Sequence, residues 1–473
     1  MNTKLSAKYV AEHSPRPEDL CATRRDFLCK CGMGFGAMGL ATLLGSEWLT
    51  AEAEGAEALP LLSPKSPHFP VKAKHVIHIF AEGGPSHVDT WDPKPALAKY
   101  EDKTLPDSDG VAYPSPFEFT KRGKSGIEVS SVFPNLGAMV DEMTIIRSMY
   151  TDVPAHDIAQ RFMHTGSMRL PKPSLGSWVL YGLGTDNQNM PGFVTLGGDQ
   201  EWRQASFLPG YYQGVNVNVS ARPNPGQDLL PNITNRFVTP TSQRRQLDLV
   251  HQLNTFHALK LHKDDQLEAR IEAFEMAFKM QTEATDAFDL SKEPAAIRTA
   301  YGPTPMGAKM LAARRLVERG VRFVQVQAGG WDHHNRLDDA LPQRAGEVDG
   351  PAAVLLADLK QRGLLESTLV IWGGEFGRTV VRDRNGNDDP GRDHNARGFS
   401  TWLAGGGVKG GFVYGATDEF GARAVENKVH VHDLHATILA LLGFDHKKLT
   451  FRYNGRDFRL TDNYGNVVKN IIA

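Results

Sequence analysis

From Lys74 onward, short runs of apolar and β-branched residues alternate with longer amphipathic stretches. This rhythm constrains the fold more than any other feature of the sequence. The short runs are "KHVIHIF" (74–80), "MTIIRSM" (143–149), "VRFVQVQ" (321–327), "STLVIWGG" (367–374) and "FSTWLAGGG" (399–407). Between them "NLGAMVDEM", "GAKMLAARRLVERG" and "AAVLLADLKQRGLL" read as helices, and "VHDLHATILALLG" (431–443) places Leu434, Ile438, Leu441 and Leu442 at helical spacing. Strands that are apolar at nearly every position must be covered on both faces. The pattern therefore predicts an α/β fold with a doubly wound, mostly parallel sheet. The segment from about 199 to 300 breaks the rhythm, being Pro/Gly-rich and then long, charged and helical. It reads as an insertion packed on one face of the sheet.

Hydrophobic residues make up 41% of the 473 and charged residues 23%, the balance of a globular chain rather than a disordered one. A formal net charge of −2 offers no basic field for nucleic acid or anionic lipid. No run of about 20 apolar residues occurs, so no transmembrane segment is expected in the mature chain.

The first 53 residues read as an export signal. "TRRDFLCK" (23–30), with its paired Arg24-Arg25, precedes the short Gly-rich apolar stretch "CGMGFGAMGLATLLG" and the small-residue site Ala51-Glu52-Ala53. This is the layout of a twin-arginine (Tat) signal, which makes the twin-arginine translocase the expected partner in export and the periplasm or exterior of a bacterium the destination. Residues 54–73 form a Pro-rich linker, and residues 74–473 form the folded domain. Cys21, Cys29 and Cys31 all lie in the signal. The mature chain would then have no disulfide, no cysteine-ligated metal and no cysteine nucleophile.

In open α/β sheets ligands bind beyond the carboxyl ends of the strands. The polar residues at those ends are Glu82, Ser86, His87 and Asp89 after the first strand, and His156 and Asp157 after the second. Asp332, His333 and His334 follow the third, and Glu375, Arg378, Arg392, Asp393 and His394 follow the fourth. Taken singly, each group is also what a capped turn looks like. Converging on one edge, they point to a divalent metal held by imidazole and carboxylate. His333 is left out, since adjacent side chains point apart, and Arg378 and Arg392 are candidate anion binders. His432 and His435 read as polar residues in an exposed first turn of the last helix.

"HIFAEGGPSHVDTWDPKP", "GGWDHHN", "WGGEFGRT", "GRDHNARGFSTWLAGGGVKGGFVYGATDEFG" and "VHDLHATILALLGFDHKKLTFRYNGRDFRLTD" resemble the sulfatase-like bacterial family called domain of unknown function 1501. The resemblance runs from Lys74 to the C-terminus. It implies the alkaline-phosphatase and sulfatase superfamily, whose fold is a mostly parallel doubly wound sheet and whose metals position an attack on a phosphate or sulfate ester. It places Glu82, Asp332, His334, Glu375 and His394 at ligand positions, with Asp393 in support, and leaves enough ligands for one metal rather than two. The ion implied is zinc, manganese or calcium. Nine residues before Thr165, where such chains carry the nucleophile, stands His156. A histidine cannot become formylglycine, so a formylglycine-type sulfatase is not expected.

Two functions follow as expectations. One is an exported metal-dependent hydrolase of phosphate or sulfate esters on a small molecule or glycan. A metal-activated water attacks, and His156 or His87 handles protons. The other is a non-catalytic envelope protein that keeps the fold for binding.

Overall fold

The computed structural model describes residues 62–106, 110–187, 189–219, 237–260, 284–383 and 389–473, with scattered positions between 267 and 279. The segment read as an export signal and residues 54–61 of the linker lie outside the described residues. No described helix is long and apolar enough to cross a membrane.

A nine-stranded sheet organises the chain. Its strands are β1 (His75–Phe80), β2 (Met143–Tyr150), β3 (Phe193–Leu196), β4 (Val215–Asn216), β5 (Phe323–Gln327) and β6 (Thr368–Gly373). A two-stranded ribbon of β7 (Gly377–Arg378) and β8 (His394–Asn395) intervenes. The sheet then resumes with β9 (Phe399–Ala404), β10 (Phe412–Tyr414) and β11 (Val429–His430). The order is β10-β2-β9-β6-β1-β5-β3-β4, with β11 also paired to β2. β1 is parallel to both neighbours, Val76 lying opposite Phe323 and Leu369. β9 alone runs against its neighbours β2 and β6. The sheet is therefore mostly parallel, as the sequence predicts, with one reversed strand that the pattern does not announce.

The period of two along each strand sorts side chains between two cores. Ile77, Ile79, Val324, Val326, Val370 and Trp372 join one core. Val76, Phe80, Phe323, Leu369 and Ile371 join the other. Helices α4 (Pro305–Glu318) and α5 (Leu337–Gln361) cover the first, whereas α1 (His156–Thr165), α2 (Leu175–Leu183) and α6 (Val431–Leu441) cover the second. Burial of each such Leu, Ile or Val side chain stabilises the fold by about 1.5–3 kcal/mol. Local signals agree: α4 starts at Pro305, and the Thr304 hydroxyl accepts from Gly307 N at 3.0 Å.

The chain from 199 onward does not simply cover the sheet: Val215 and Asn216 add an edge strand to it. Helix α3 (Pro240–Lys260) falls in a different compact unit from the sheet. The last helix also departs from expectation. His430 is the N-cap: its ring accepts from His432 N, and Asp433 returns the bond to His430 N at 3.0 Å. His432 and His435 are buried at 4% and 1% exposure rather than facing solvent, because this first turn packs under α1.

Candidate metal centre

Four chain segments deliver the site, and the strand directions explain why they meet. β1, β2, β5 and β6 are mutually parallel in the sheet, so their carboxyl ends share one edge. The reversed β9 presents its amino end there, which brings in the residues just before it. After β2 the chain passes Pro154 and enters α1 with His156 as its first residue. After β5 a glycine turn leads to Trp331, fully buried and anchored by its indole N–H to Ala328 O at 2.6 Å, and this anchor fixes Asp332 beyond it. In the β7–β8 ribbon Arg378 lies directly opposite His394.

Three imidazole Nε2 atoms converge on one carboxylate oxygen. Asp332 Oδ1 lies 3.2 Å from His156 Nε2, 3.0 Å from His334 Nε2 and 3.3 Å from His394 Nε2. The Nε2 atoms of His334 and His394 are themselves 3.0 Å apart. Each ring turns its other nitrogen outward to an acceptor: His156 Nδ1 to Glu375 Oε1 at 2.7 Å, His334 Nδ1 to Asp383 Oδ2 at 2.5 Å, His394 Nδ1 to Pro154 O at 2.8 Å. Carboxylates and carbonyls only accept, so each Nδ1 carries a proton, and to an ion placed among them each Nε2 would offer a lone pair. Three lone pairs and an anionic oxygen at these distances repel unless a cation lies among them. The buried Nε2 of His156 correspondingly has no hydrogen-bond partner of good geometry.

The donor set fits a divalent metal ion. Tetrahedral ligands about 2.0–2.1 Å from zinc stand roughly 3.3–3.4 Å apart, close to the 3.0, 3.2 and 3.3 Å separations among these atoms. Three imidazoles with one carboxylate suit a transition ion; calcium takes oxygen ligands. Asp332 is 45% exposed and His334 35%, so the cluster is open to solvent on one side.

Without the ion, protons and Arg378 supply the positive charge. Burial disfavours the His156 cation, but the bonds to Asp332 and Glu375 outweigh it and raise its pKa to about 9. Burial works against the Asp332 anion as well. Hydrogen bonds from His156, His394 and Arg378 outweigh that too and hold the carboxyl well below the usual range.

Of the sequence candidates, Asp332, His334 and His394 come together, and His156 joins them as a fourth ligand-bearing side chain. Glu375 stands behind His156 instead of among the converging atoms. Fully buried, it also accepts from Gly83 N at 3.1 Å and Gln160 Nε2 at 3.2 Å. Asp393 sits at the rim, 3.9 Å from His334 Nδ1. Glu82 is drawn away by Gln327, whose amide donates to it at 2.7 Å. His87 is buried with Nε2 on Gly421 O at 2.7 Å, and burial lowers its pKa. Both arginine guanidiniums are engaged by groups of the protein. Arg392 is fully buried in a two-pronged pair with Asp89 at 2.6 and 3.0 Å. Arg378, 1% exposed, donates to Asp332 and to the carbonyls of Gly83, Gly84 and Arg392. His333 lies outside the cluster as expected; burial lowers its pKa to about 4. Asp383, Gln160 and the Pro154 carbonyl were not foreseen. Only the one-turn spacing of His156 and Gln160 hinted at a shared face.

The turn after β1 is built for close approach. Gly83 has φ +112°, and a Cβ there would stand 2.7 Å from Asp332 N and 2.8 Å from Trp331 N. Both obstacles are backbone. Gly83→Ala is therefore expected to destabilise the protein by about 2–3 kcal/mol, measured as a lower denaturation midpoint, by combining backbone strain with displacement of the Asp332 segment.

No curated protein matches the chain. Among solved structures it is similar to the PsFucS1 sulfatase from Pseudoalteromonas sp., at 13% identity, covering 79% of this chain and 68% of that one with a TM-score of 0.35. It is similar to the phosphonate monoester hydrolase SpPMH from Silicibacter pomeroyi, at 10% identity over 78% and 73%, TM-score 0.34. It is also similar to the lipoteichoic acid synthase LtaP from Listeria monocytogenes, at 11% over 84% and 78%, TM-score 0.34. The family model described as "Protein of unknown function (DUF1501)" matches residues 73–472, nearly the whole of the folded chain, and the protein belongs to that family.

Proposed function

We propose that the protein is an exported, metal-dependent hydrolase of phosphate or sulfate esters, working with one transition-metal ion. The observation that carries this reading is the convergence of three Nε2 lone pairs on Asp332 Oδ1, with each Nδ1 already committed elsewhere. Asp332, His156, His334 and His394 would hold the ion. When bound, it would supply Lewis acidity to the ester and lower the pKa of a water molecule. His156 is then a ligand and not a nucleophile, which fits the absence of a hydroxyl or thiol at that position. Arg378 keeps Asp332 ionised and aimed. Asp393, exposed at the rim, is placed to take a proton from solvent-side chemistry. Export rests on the twin arginines, and the ester class on the resemblance set out above.

A specific observation favours a second reading, a non-catalytic metal-holding envelope protein. Arg378 and Arg392, the arginines that the sequence offers as anion binders, are both spent on internal partners. One experiment separates the two. Protein purified without added ions is expected to carry close to one equivalent of zinc or manganese, and a panel of phosphate and sulfate esters is expected to show turnover that a chelator removes. Bound metal with no turnover on any ester supports the second reading. Metal-free native protein that takes up none on titration rejects both.

A further inference from the structure

The outward side of each imidazole is as ordered as the inward side. Glu375 and Asp383 are carboxylates with 0% and 1% side-chain exposure, and an ionised carboxylate is costly to bury unless its oxygens are satisfied. Glu375 is satisfied entirely by donors that are not metals: Gly83 N contacts both oxygens at 3.1 and 3.2 Å, and His156 Nδ1 and Gln160 Nε2 both reach Oε1. α1 contributes His156 and Gln160 one turn apart, so the same helical face offers the ring and the amide that clamps its acceptor. Asp383 meets His334 Nδ1 from the loop after β7. The group His334, Asp383 and Asp393 also has the spacing of a metal cluster. His334 Nδ1, however, carries the proton that bonds Asp383, and a protonated nitrogen is no ligand.

We propose that Glu375 and Asp383 are positioning residues, two buried carboxylates that grip His156 and His334 by Nδ1–H and so turn their Nε2 lone pairs onto one metal. The proposal rests on the metal-dependent reading above and adds which residues set ligand orientation and basicity. A carboxylate behind an imidazole locks its tautomer and makes the far nitrogen a better donor. His394, held only by a backbone carbonyl, lacks that reinforcement, so the two carboxylate-backed rings dominate affinity.

The test uses the mature chain, with zinc affinity measured by competition against a chromogenic chelator. Glu375→Gln and Asp383→Asn keep the shape and remove the charge. Each is expected to weaken zinc binding by about 10–100-fold and to shift the visible spectrum of the cobalt-substituted protein. The melting temperature of the chelator-treated protein should fall far less, whereas a merely structural role would lower it without altering the affinity of the folded protein. Nitrogen-15 spectra of wild type should show His156 and His334 as Nδ1–H tautomers in the zinc-loaded state, which keeps the proposal testable if Glu375→Gln fails to fold. Unchanged affinity in both variants overturns the positioning role alone. A second equivalent of metal that vanishes in Asp383→Asn makes Asp383 a ligand and also overturns it. Wild type that binds no metal overturns the underlying reading and this proposal with it.

Discussion

Asp332→Asn is expected to empty the centre of metal while leaving a folded protein. Oδ1 of Asp332 is the one atom that all three Nε2 atoms and Arg378 share, so the amide removes both a ligand and the only anionic charge among the converging atoms. Substituting residues behind metal ligands already costs about 10–100-fold in affinity, and loss of the central ligand should exceed that, on the order of a thousandfold. Arg378 would lose one acceptor but keep the carbonyls of Gly83, Gly84 and Arg392, which is why the fold should persist. Wild type should gain roughly 2.7 kcal/mol of stability when zinc is present at about a hundred times its dissociation constant, and the variant none. Elemental analysis after gel filtration, with thermal melts in zinc and in chelator, reads both effects. A variant that retains stoichiometric metal would remove Asp332 from the centre.

How much of this was legible depended on whether a side chain's partner is implied by its place in a strand. β1, β5, β6 and β9 were readable because apolar runs leading into glycine have few other uses, and β2 because Thr144, Ile145 and Ile146 make a β-branched run. β3, β4, β10 and β11 span four residues or fewer, below the length at which a period of two can be recognised. The edge where the cluster forms was legible for a similar reason: Asp332 and His334 are chemically out of place just beyond a buried apolar run, whereas His394 reaches them from the segment before the reversed β9. Nothing in the sequence distinguishes Glu82 from Glu375, both carboxylates beside glycines at strand ends. Their fates were decided by Gln327 on a neighbouring strand and by Gly83 N and His156, contacts far apart in sequence. Arg378 and Arg392 were read as anion binders for a related reason. A buried arginine that organises carbonyls and a buried Asp has the same sequence signature as one that binds substrate. The Pro154 carbonyl, which fixes His394, belongs to the backbone and could not be foreseen from residue type at all.

Acidification is expected to unfold the protein well before its carboxylates titrate, because one histidine within α1 and three packed beneath it are buried in neutral form. Burial, with His435 nearby, lowers the pKa of His78 to about 3. Burial likewise brings His432 to about 3 and His435 to about 4, and pushes His164 well below its usual value. The rings pack among Phe80, Trp202 and one another, and the Nδ1 atoms of His78, His432 and His435 have no partner that would welcome a proton. A folded-state pKa depressed below the unfolded value of about 6.5 gives stability that is complete above pH 6.5 and is lost as pH falls toward the folded value. Each group then costs about 1.4 kcal/mol per pH unit once the unfolded chain binds the proton, or roughly 2 kcal/mol at pH 5. Four together approach the whole stability of an ordinary domain, about 5–15 kcal/mol. His156 in the metal-free protein titrates in the opposite sense, its contribution full below pH 6.5 and lost as pH rises through about 9, so it adds nothing to the acid limb. Chemical denaturation at intervals from pH 7.5 to 5 should show stability falling steeply below pH 6.5. His78→Leu replaces a ring whose Nδ1 is already unpartnered, and it should flatten that fall by about 1.4 kcal/mol per pH unit. A flat profile down to pH 5.5 would mean that these rings are hydrated or partnered in solution.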